Sequence, residues 1–557
     1  MLAGAAAVLL SGAIHLIRHL LTSWFSRDIH YALYLVYPGL GMLLSLLIVR
    51  FLIKDDIGHG VTKVLVAVSK NESRIKPHNT WSSLLTSALT IGFGGSVGAE
   101  APIVYTGAAI GSNFARLWGL SYKNMTILLG AGAAAAIAGI FKAPLAGVLF
   151  TLEILMFNIS MSSIMPVLFA TVSATVVTYL FNGQTPFFQC SVTMFSMRNL
   201  PFYVLLGVVS GLFSLYFLRM TLWMEDKVAL RRNPFLKWLC CAVGLGVLIF
   251  IFPPLYGEGY ESLTPLLNGQ GIEGTATLSK LLQGGWMVPL FFLLVALFKV
   301  VSMTLTNAGG GVGGTFGPTL VVGGFVGFVV ARALNLVSDG LVPEQNFVLV
   351  GMAGLMAGVM QAPMTAIFLI AEITGGYELF LPLITTAVVS FGVMRIFEQY
   401  SIYSKRIAKS GELLTHDSDQ SVLTLLKITE LIEKDFISVE IDATLGEFVK
   451  VISLSNRNIF PVVDSKGRFQ GFVSLEAVRG DMFRAELYEK KHVYNYVRSA
   501  AEYVHVDEDM RSVMRKFEKT EAWSLPVVGE NRSYVGFVSK SRIFTAYRDE
   551  LKKLSSE

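Results

Sequence analysis

Apolar stretches recur along the chain up to residue 396, and short glycine- and proline-rich breaks separate them rather than long polar loops. Crossing a bilayer as a helix takes about 20 apolar residues. The clearest stretches are 33–53, 202–218, 236–252 and 286–300; 102–118, 125–140, 164–181, 318–336, 347–360 and 381–396 are less clean. Residues 1–24 also read as a membrane helix, because they lack the basic leader and cleavage site of a signal peptide. Broken helices survive at membrane depth only where the freed backbone lines a cavity or is covered by protein. The pattern is that of a transporter or channel, not of a single-span anchor. Charge sets its limit: 38 of the first 405 residues are charged against 47 of the last 152, so a membrane region precedes a soluble one. A net charge of +5 with no basic block argues against a nucleic-acid partner.

The membrane region repeats itself. GAAAAIAGIFKAPLAGVLFTLEI at 132–154 lines up with GMAGLMAGVMQAPMTAIFLIAEI at 351–373. Gly132, Ala138, Gly139, Ala143, Pro144 and Glu153 meet identical residues at a shift of 219, and Phe150 meets Leu369. Upstream, GSVGAEAP at 95–102 pairs with GVGGTFGP at 311–318 at a shift of 216. Two related halves, each carrying a glycine-rich break, predict a substrate site near the midplane between them.

Three breaks are candidates for that site: GHGVT at 58–62, GAEAP at 98–102 and GTFGP at 314–318. Glycine releases the backbone, and proline suits the first turn of the helix that follows. A helix start exposes unpaired N–H groups at the positive end of the peptide dipoles. Several such starts converging in the bilayer make a site for a small anion without a full positive charge. Glu100 lies inside the second break, and a carboxylate at membrane depth is expensive enough to read as functional. Ionised, it can take the anion's own place; protonated, it can leave, so transport would rise as pH falls. The plainer reading is a glutamate capping the helix that begins near Pro102.

The breaks, their order and the paired AP…EI segments resemble the CLC family of chloride channels and chloride/proton antiporters, whose motifs are GSGIP, GREGP and GXFXP. The resemblance covers nearly the whole chain. It implies an all-α membrane domain of two inverted repeats, assembled as a homodimer with one pore per subunit. It makes Glu100 the gating glutamate. It assigns anion contacts to His59, Gly60, Gly98, Ala99, Thr315 and Phe316, and to the hydroxyl of Tyr403 in QYSIYSKR. His59 stands where the family has a serine, Thr62 replaces a proline, and Ala99 and Ala101 replace an arginine and a glycine. Family antiporters carry a proton-transfer glutamate directly after the glutamate of the first AP…E segment. Here Ile154 follows Glu153, and isoleucine carries no proton. The expectation is therefore passive, channel-like chloride conduction, with proton-coupled antiport as the alternative. The chain also begins inside what resembles the family's first long helix, so sequence before Met1 is open.

In the soluble tail, NIFPVVDSKGRFQGFVS at 458–474 matches WSLPVVGENRSYVGFVS at 523–539 at a shift of 65. Each unit alternates a short helix with the strands FPVVD and FQGFVS, or LPVVG and YVGFVS, as small α/β modules used in pairs do. This resembles a tandem CBS pair. We expect a membrane domain at 1–405, a linker at 406–430, and modules at 431–483 and 484–550. Ala477 and Arg542 stand where the resemblance would put a ribose-binding aspartate, so a dimer-stabilising or coupling role is expected of the pair, with adenine-nucleotide binding as the alternative and no other cofactor. The CBS pair and Arg231, Arg232 and Lys237 are expected on the cytoplasmic face of a plasma or bacterial inner membrane.

Other classes fit less well. GGSVG at 94–98 matches a hydrolase elbow but joins apolar helices, and GGGVGGT at 309–315 lacks the lysine of a phosphate loop. Cys190, Cys240 and Cys241 and the eight histidines show no metal-ligand spacing. No enzyme and no metal site are expected. A CBS-bearing cation transporter would need many intramembrane acids. Within the repeats only Glu100, Glu153 and Glu372 are well placed, and the last two occupy equivalent positions that suit a structural cap.

Overall fold

A computed structural model describes residues 1–23, 33–58, 60–70, 73–155, 161–188, 190, 192–230, 233–269, 285–409, 426 and 428–556. The chain forms two compact units, 1–414 and 415–557. In the first, eight helices among the described residues are long and apolar enough to cross a membrane. The opening stretch is one of them, a helix over Leu2–Ser23, and the expected 286–300 stretch extends as far as Ala308.

The helices that build the site fall into two matching series. The first holds α1 (Gly60–Lys70), α2 (Ser82–Gly92), α3 (Glu100–Leu117), α4 (Tyr122–Phe141) and α5 (Pro144–Glu153). The second holds α6 (Tyr260–Leu267), α7 (Met287–Ala308), α8 (Phe316–Val337), α9 (Glu344–Met360) and α10 (Pro363–Thr374), and α11 (Ile402–Lys409) closes the unit. Helices α5 and α10 both begin on the proline of an AP pair. In that position proline gives up an N–H that would have no partner anyway.

Equivalent residues bond reciprocally across the two series. Gly98 N–H donates to the Gly314 carbonyl at 3.1 Å, and Gly314 N–H donates to the Gly98 carbonyl at 2.7 Å. Val312 N–H donates to the Thr90 hydroxyl (3.0 Å), and Ser96 N–H donates to the Thr306 hydroxyl (3.1 Å). Reciprocity of this kind is what a local twofold relation between repeats produces. Glycines set the closeness of the helix pairs: a Cβ on Gly107 of α3 would lie 2.2 Å from the Gly132 carbonyl of α4, and one on Gly323 of α8 would lie 2.5 Å from the Gly351 carbonyl of α9. Small residues at helix contacts are how packing is gained where lipid supplies no hydrophobic drive.

The second unit contains two three-stranded sheets of identical topology. β1 (Val439–Glu440) runs parallel to β2 (Ile459–Val463), which pairs antiparallel with β3 (Phe469–Ser474). β4 (Val504–His505), β5 (Ser524–Val528) and β6 (Tyr534–Ser539) repeat the arrangement. The register also repeats, with Val462 opposite Gly471 and Val527 opposite Gly536. The paired strands match those expected from the sequence. The two-residue strands β1 and β4 are too short for alternation to reveal. Ile428 and Leu431 pack into the core of the second sheet with Val504 and Phe517, so the entry segment serves the later module.

Candidate functional site: two helix starts sharing one carboxylate

The breaks before α3 and α8 lie side by side, joined by the Gly98–Gly314 bridge. Helix α3 begins at Glu100, earlier than the start near Pro102 that the capping reading assumed. The Glu100 side chain is 1% exposed and reaches the other repeat. Gly317 N–H donates to its Oε2 at 3.1 Å, and the Tyr260 hydroxyl donates to its Oε1 at 2.6 Å. The carboxylate therefore takes an amide of the GTFGP helix start, the kind of donor an anion would use. Its seat requires glycine on both sides. A Cβ on Gly98 would lie 2.0 Å from Glu100 Oε2, and one on Gly317 would lie 2.8 Å from Oε1.

The other expected residues that the structure describes lie around this junction. Thr315 is the N-cap of α8, and Phe316 is its first residue; both are buried. The Phe316 ring packs against Phe141 at 5.7 Å and Phe150 at 6.2 Å between centroids. Tyr403 on α11 is 2% exposed and lies beside Thr315. Apart from each other, neither hydroxyl finds a hydrogen-bond partner among the described residues. Buried donors left this way favour an anion, since an unsatisfied polar group in the interior is costly. Gly60 opens α1 against α3, where a Cβ would lie 2.4 Å from the Ala101 carbonyl. His59 lies outside the described residues, as do Arg231 and Arg232. Ile154 follows α5, 3% exposed, with its N–H on the Phe150 carbonyl at 2.9 Å.

Glu153 and Glu372 hold helix starts rather than a cation. Glu372 accepts from the amides of Leu145 and Ala146 at 3.0 and 2.9 Å. Glu153 accepts from those of Met364 and Thr365 at 3.0 and 2.7 Å, and from the Thr365 hydroxyl at 2.7 Å. Each repeat's glutamate caps the other repeat's AP helix, and acids favour such helix starts.

Two charged residues escaped the sequence reading. Glu258, between the apolar stretches, accepts from Ala99 N–H at 3.2 Å. Lys299, inside an apolar stretch, is wholly buried and donates to the carbonyls of Leu255 (3.2 Å) and Gly257 (2.8 Å). A full cation therefore does stand near the helix starts, beside the partial charges that were expected to act alone. A lone lysine within an apolar span was the signal available for it. Among the CBS residues, Ala477 lies on a short helix after β3, and Arg542 N–H donates to the Ser539 hydroxyl at 3.2 Å.

Comparison with known proteins agrees with this geometry. Residues 40–395 match the family described as "Voltage gated chloride channel", and residues 428–482 and 493–549 match the CBS domain. Among curated proteins the chain resembles the H(+)/Cl(-) exchange transporter ClcA of Vibrio cholerae, 27% identical over 75% of this chain and 89% of that one. It also resembles the chloride channel protein CLC-f of Arabidopsis thaliana, 24% identical over 85% of this chain and 68% of that one. Among solved structures, a slow cyanobacterial Cl-/H+ antiporter has the same membrane fold, with a TM-score of 0.63 and 23% identity over 73% of this chain and 96% of that one. A eukaryotic CLC transporter matches with a TM-score of 0.61 and 19% identity over 97% of this chain and 96% of that one. With a family match over most of its length and a CBS pair behind it, this multi-pass membrane protein belongs to the CLC family of anion transporters.

Proposed function

We propose that this protein moves chloride or a similar small anion past the joined breaks at Gly98 and Gly314, with Glu100 as the protonatable group, in exchange for protons. The observation that carries the proposal is the Glu100 carboxylate seated on the Gly317 amide. A group bonded there competes with an anion for the same donor, and protonation removes its claim. The Thr315, Phe316 and Tyr403 positions supply the neighbouring donors, Gly60, Gly98 and Ala99 belong to the adjoining helix starts, and His59 enters as the family resemblance implies. Exchange is favoured over conduction by relatives that include named H(+)/Cl(-) exchange transporters.

One observation supports the second reading, passive conduction. The position that resembles the family's proton-transfer glutamate holds the buried Ile154, which cannot pass a proton. Under exchange, the proton must reach Glu100 by another route. Liposomes separate the two readings: an inward chloride gradient that drives protons uphill means exchange, and strictly passive proton movement means conduction. In the same assay Glu100→Gln is expected to raise anion flux, abolish coupling and flatten the pH dependence. A fully pH-gated Glu100→Gln variant would place the gate elsewhere.

As the family resemblance implies, we further read the assembly as a homodimer with one pore per subunit, its CBS pair cytoplasmic and its membrane a plasma or bacterial inner membrane. The module limits at 431–483 and 484–550 and the linker at 406–430 stay part of that reading. So does a CBS role in stabilising the dimer or in coupling rather than in binding adenine nucleotide.

A further inference from the structure

Glu258 occupies the residue next to the gate. Its Oε1 takes the Ala99 N–H, and Ala99 is the N-cap of the helix that Glu100 begins. Two carboxylates thus hold two amides at one junction, Glu258 on Ala99 and Glu100 on Gly317. An N–H donating to a protein carboxylate does not donate to a passing anion, and two unneutralised acids at one site also repel one. The charged and titratable groups acting on Glu258 are Glu100, Lys299 and Arg18, with Tyr260 on the adjoining helix. Lys299 ties down the loop that carries Glu258 through the Leu255 and Gly257 carbonyls. Arg18 is engaged in an ion pair with Glu261. While Glu258 holds the Ala99 N–H, that donor is unavailable to an anion. The buried hydroxyls of Thr315 and Tyr403, which have no partner among the described residues but each other, mark where an anion would be held.

We propose that Glu258 is a second protonatable carboxylate of the anion site, and that seating an anion requires a proton on Glu258 as well as on Glu100. The inference rests on Glu100 being the gate. Proton linkage makes it measurable: two protons enter for each anion seated, whereas a single gate takes one.

Isothermal titration of potassium chloride into the detergent-purified full chain, repeated across pH, counts those protons. The slope of log affinity against pH equals the number taken up with the anion. We expect a slope approaching about two for the parent chain and about one for Glu258→Gln or Glu100→Gln, with no slope in the double variant. Glu258→Asp keeps the acid, so a slope above one there shows that the loss in Glu258→Gln is a lost proton and not a collapsed site. A parent slope of one, or a Glu258→Gln variant with the parent's slope, overturns the proposal and leaves Glu100 as sole gate. If Glu100→Gln keeps the parent's slope while Glu258→Gln loses one proton, Glu258 stands and the reading of Glu100 as the gate fails.

Discussion

Gly98 carries no side chain because Glu100 needs the room. A methyl group there would sit 2.0 Å from the carboxylate oxygen and 2.9 Å from the Gly317 nitrogen, so the gate's tip must move away and the junction with Gly317 must give slightly as well. Gly98→Ala is therefore expected to push Glu100 off the Gly317 amide. The variant should fold, bind chloride more readily at neutral pH and show a shallower pH dependence, as is expected of Glu100→Gln. Chloride titration at two pH values checks this, and an unchanged pH profile would show that Glu100 tolerates the methyl group where it sits. Glu100 and both glycines could be picked out from the GAEAP and GTFGP motifs. Their contact could not, because the two motifs are 216 residues apart and only folding brings Gly317 to Glu100.

Helices α5 and α10 each carry, in the last turn, the glutamate that caps the other's start. Removing Glu153 deprives two amides and the Thr365 hydroxyl of their acceptor, and removing Glu372 deprives two amides. Leaving such donors unmet costs about 1–3 kcal/mol each where they are buried, and less where water reaches them. Glu153→Ala and Glu372→Ala should each lower the melting temperature in detergent, Glu153→Ala somewhat more because it strands one donor more. Fluorescence-detected size exclusion after heating reads this directly. Loss of anion selectivity with unchanged melting would instead implicate these glutamates in transport. Their equivalence was visible in the two EI segments. The crossed pairing was not, since a glutamate ending a helix ordinarily has nothing to cap there.

For the molecule as a whole, the membrane and soluble units meet acid differently. In the membrane unit, protonation of Glu100 is expected to promote transport. In the CBS unit, Lys491 and Tyr496 bond to Asp481, and this holds its carboxyl below the usual range; Arg457 does the same for Asp435. A depressed acid contributes stability above its ordinary pKa, about 3.9 for aspartate, and loses it as pH falls through the lower folded value. Melts of the 415–557 unit should accordingly hold steady above about pH 5 and weaken below about pH 4. Asp481→Asn should be less stable than the parent at neutral pH and lose less on acidification. An equal acid loss in both would remove Asp481 from the account.

The division of the chain into a membrane half and a soluble tail follows from hydropathy and charge, which act over windows of neighbouring residues and need no partner to be read. The internal repeats follow from residue identity at fixed shifts, and with them the family. What only the tertiary structure decided is which groups meet. Glu258 and Lys299 lie in separate segments with no motif around them, and they gain significance solely because the loop after residue 252 folds back against Ala99. Electrostatics and hydrogen bonding act through space over a few ångströms, so a chain records the donors and acceptors but not their pairing.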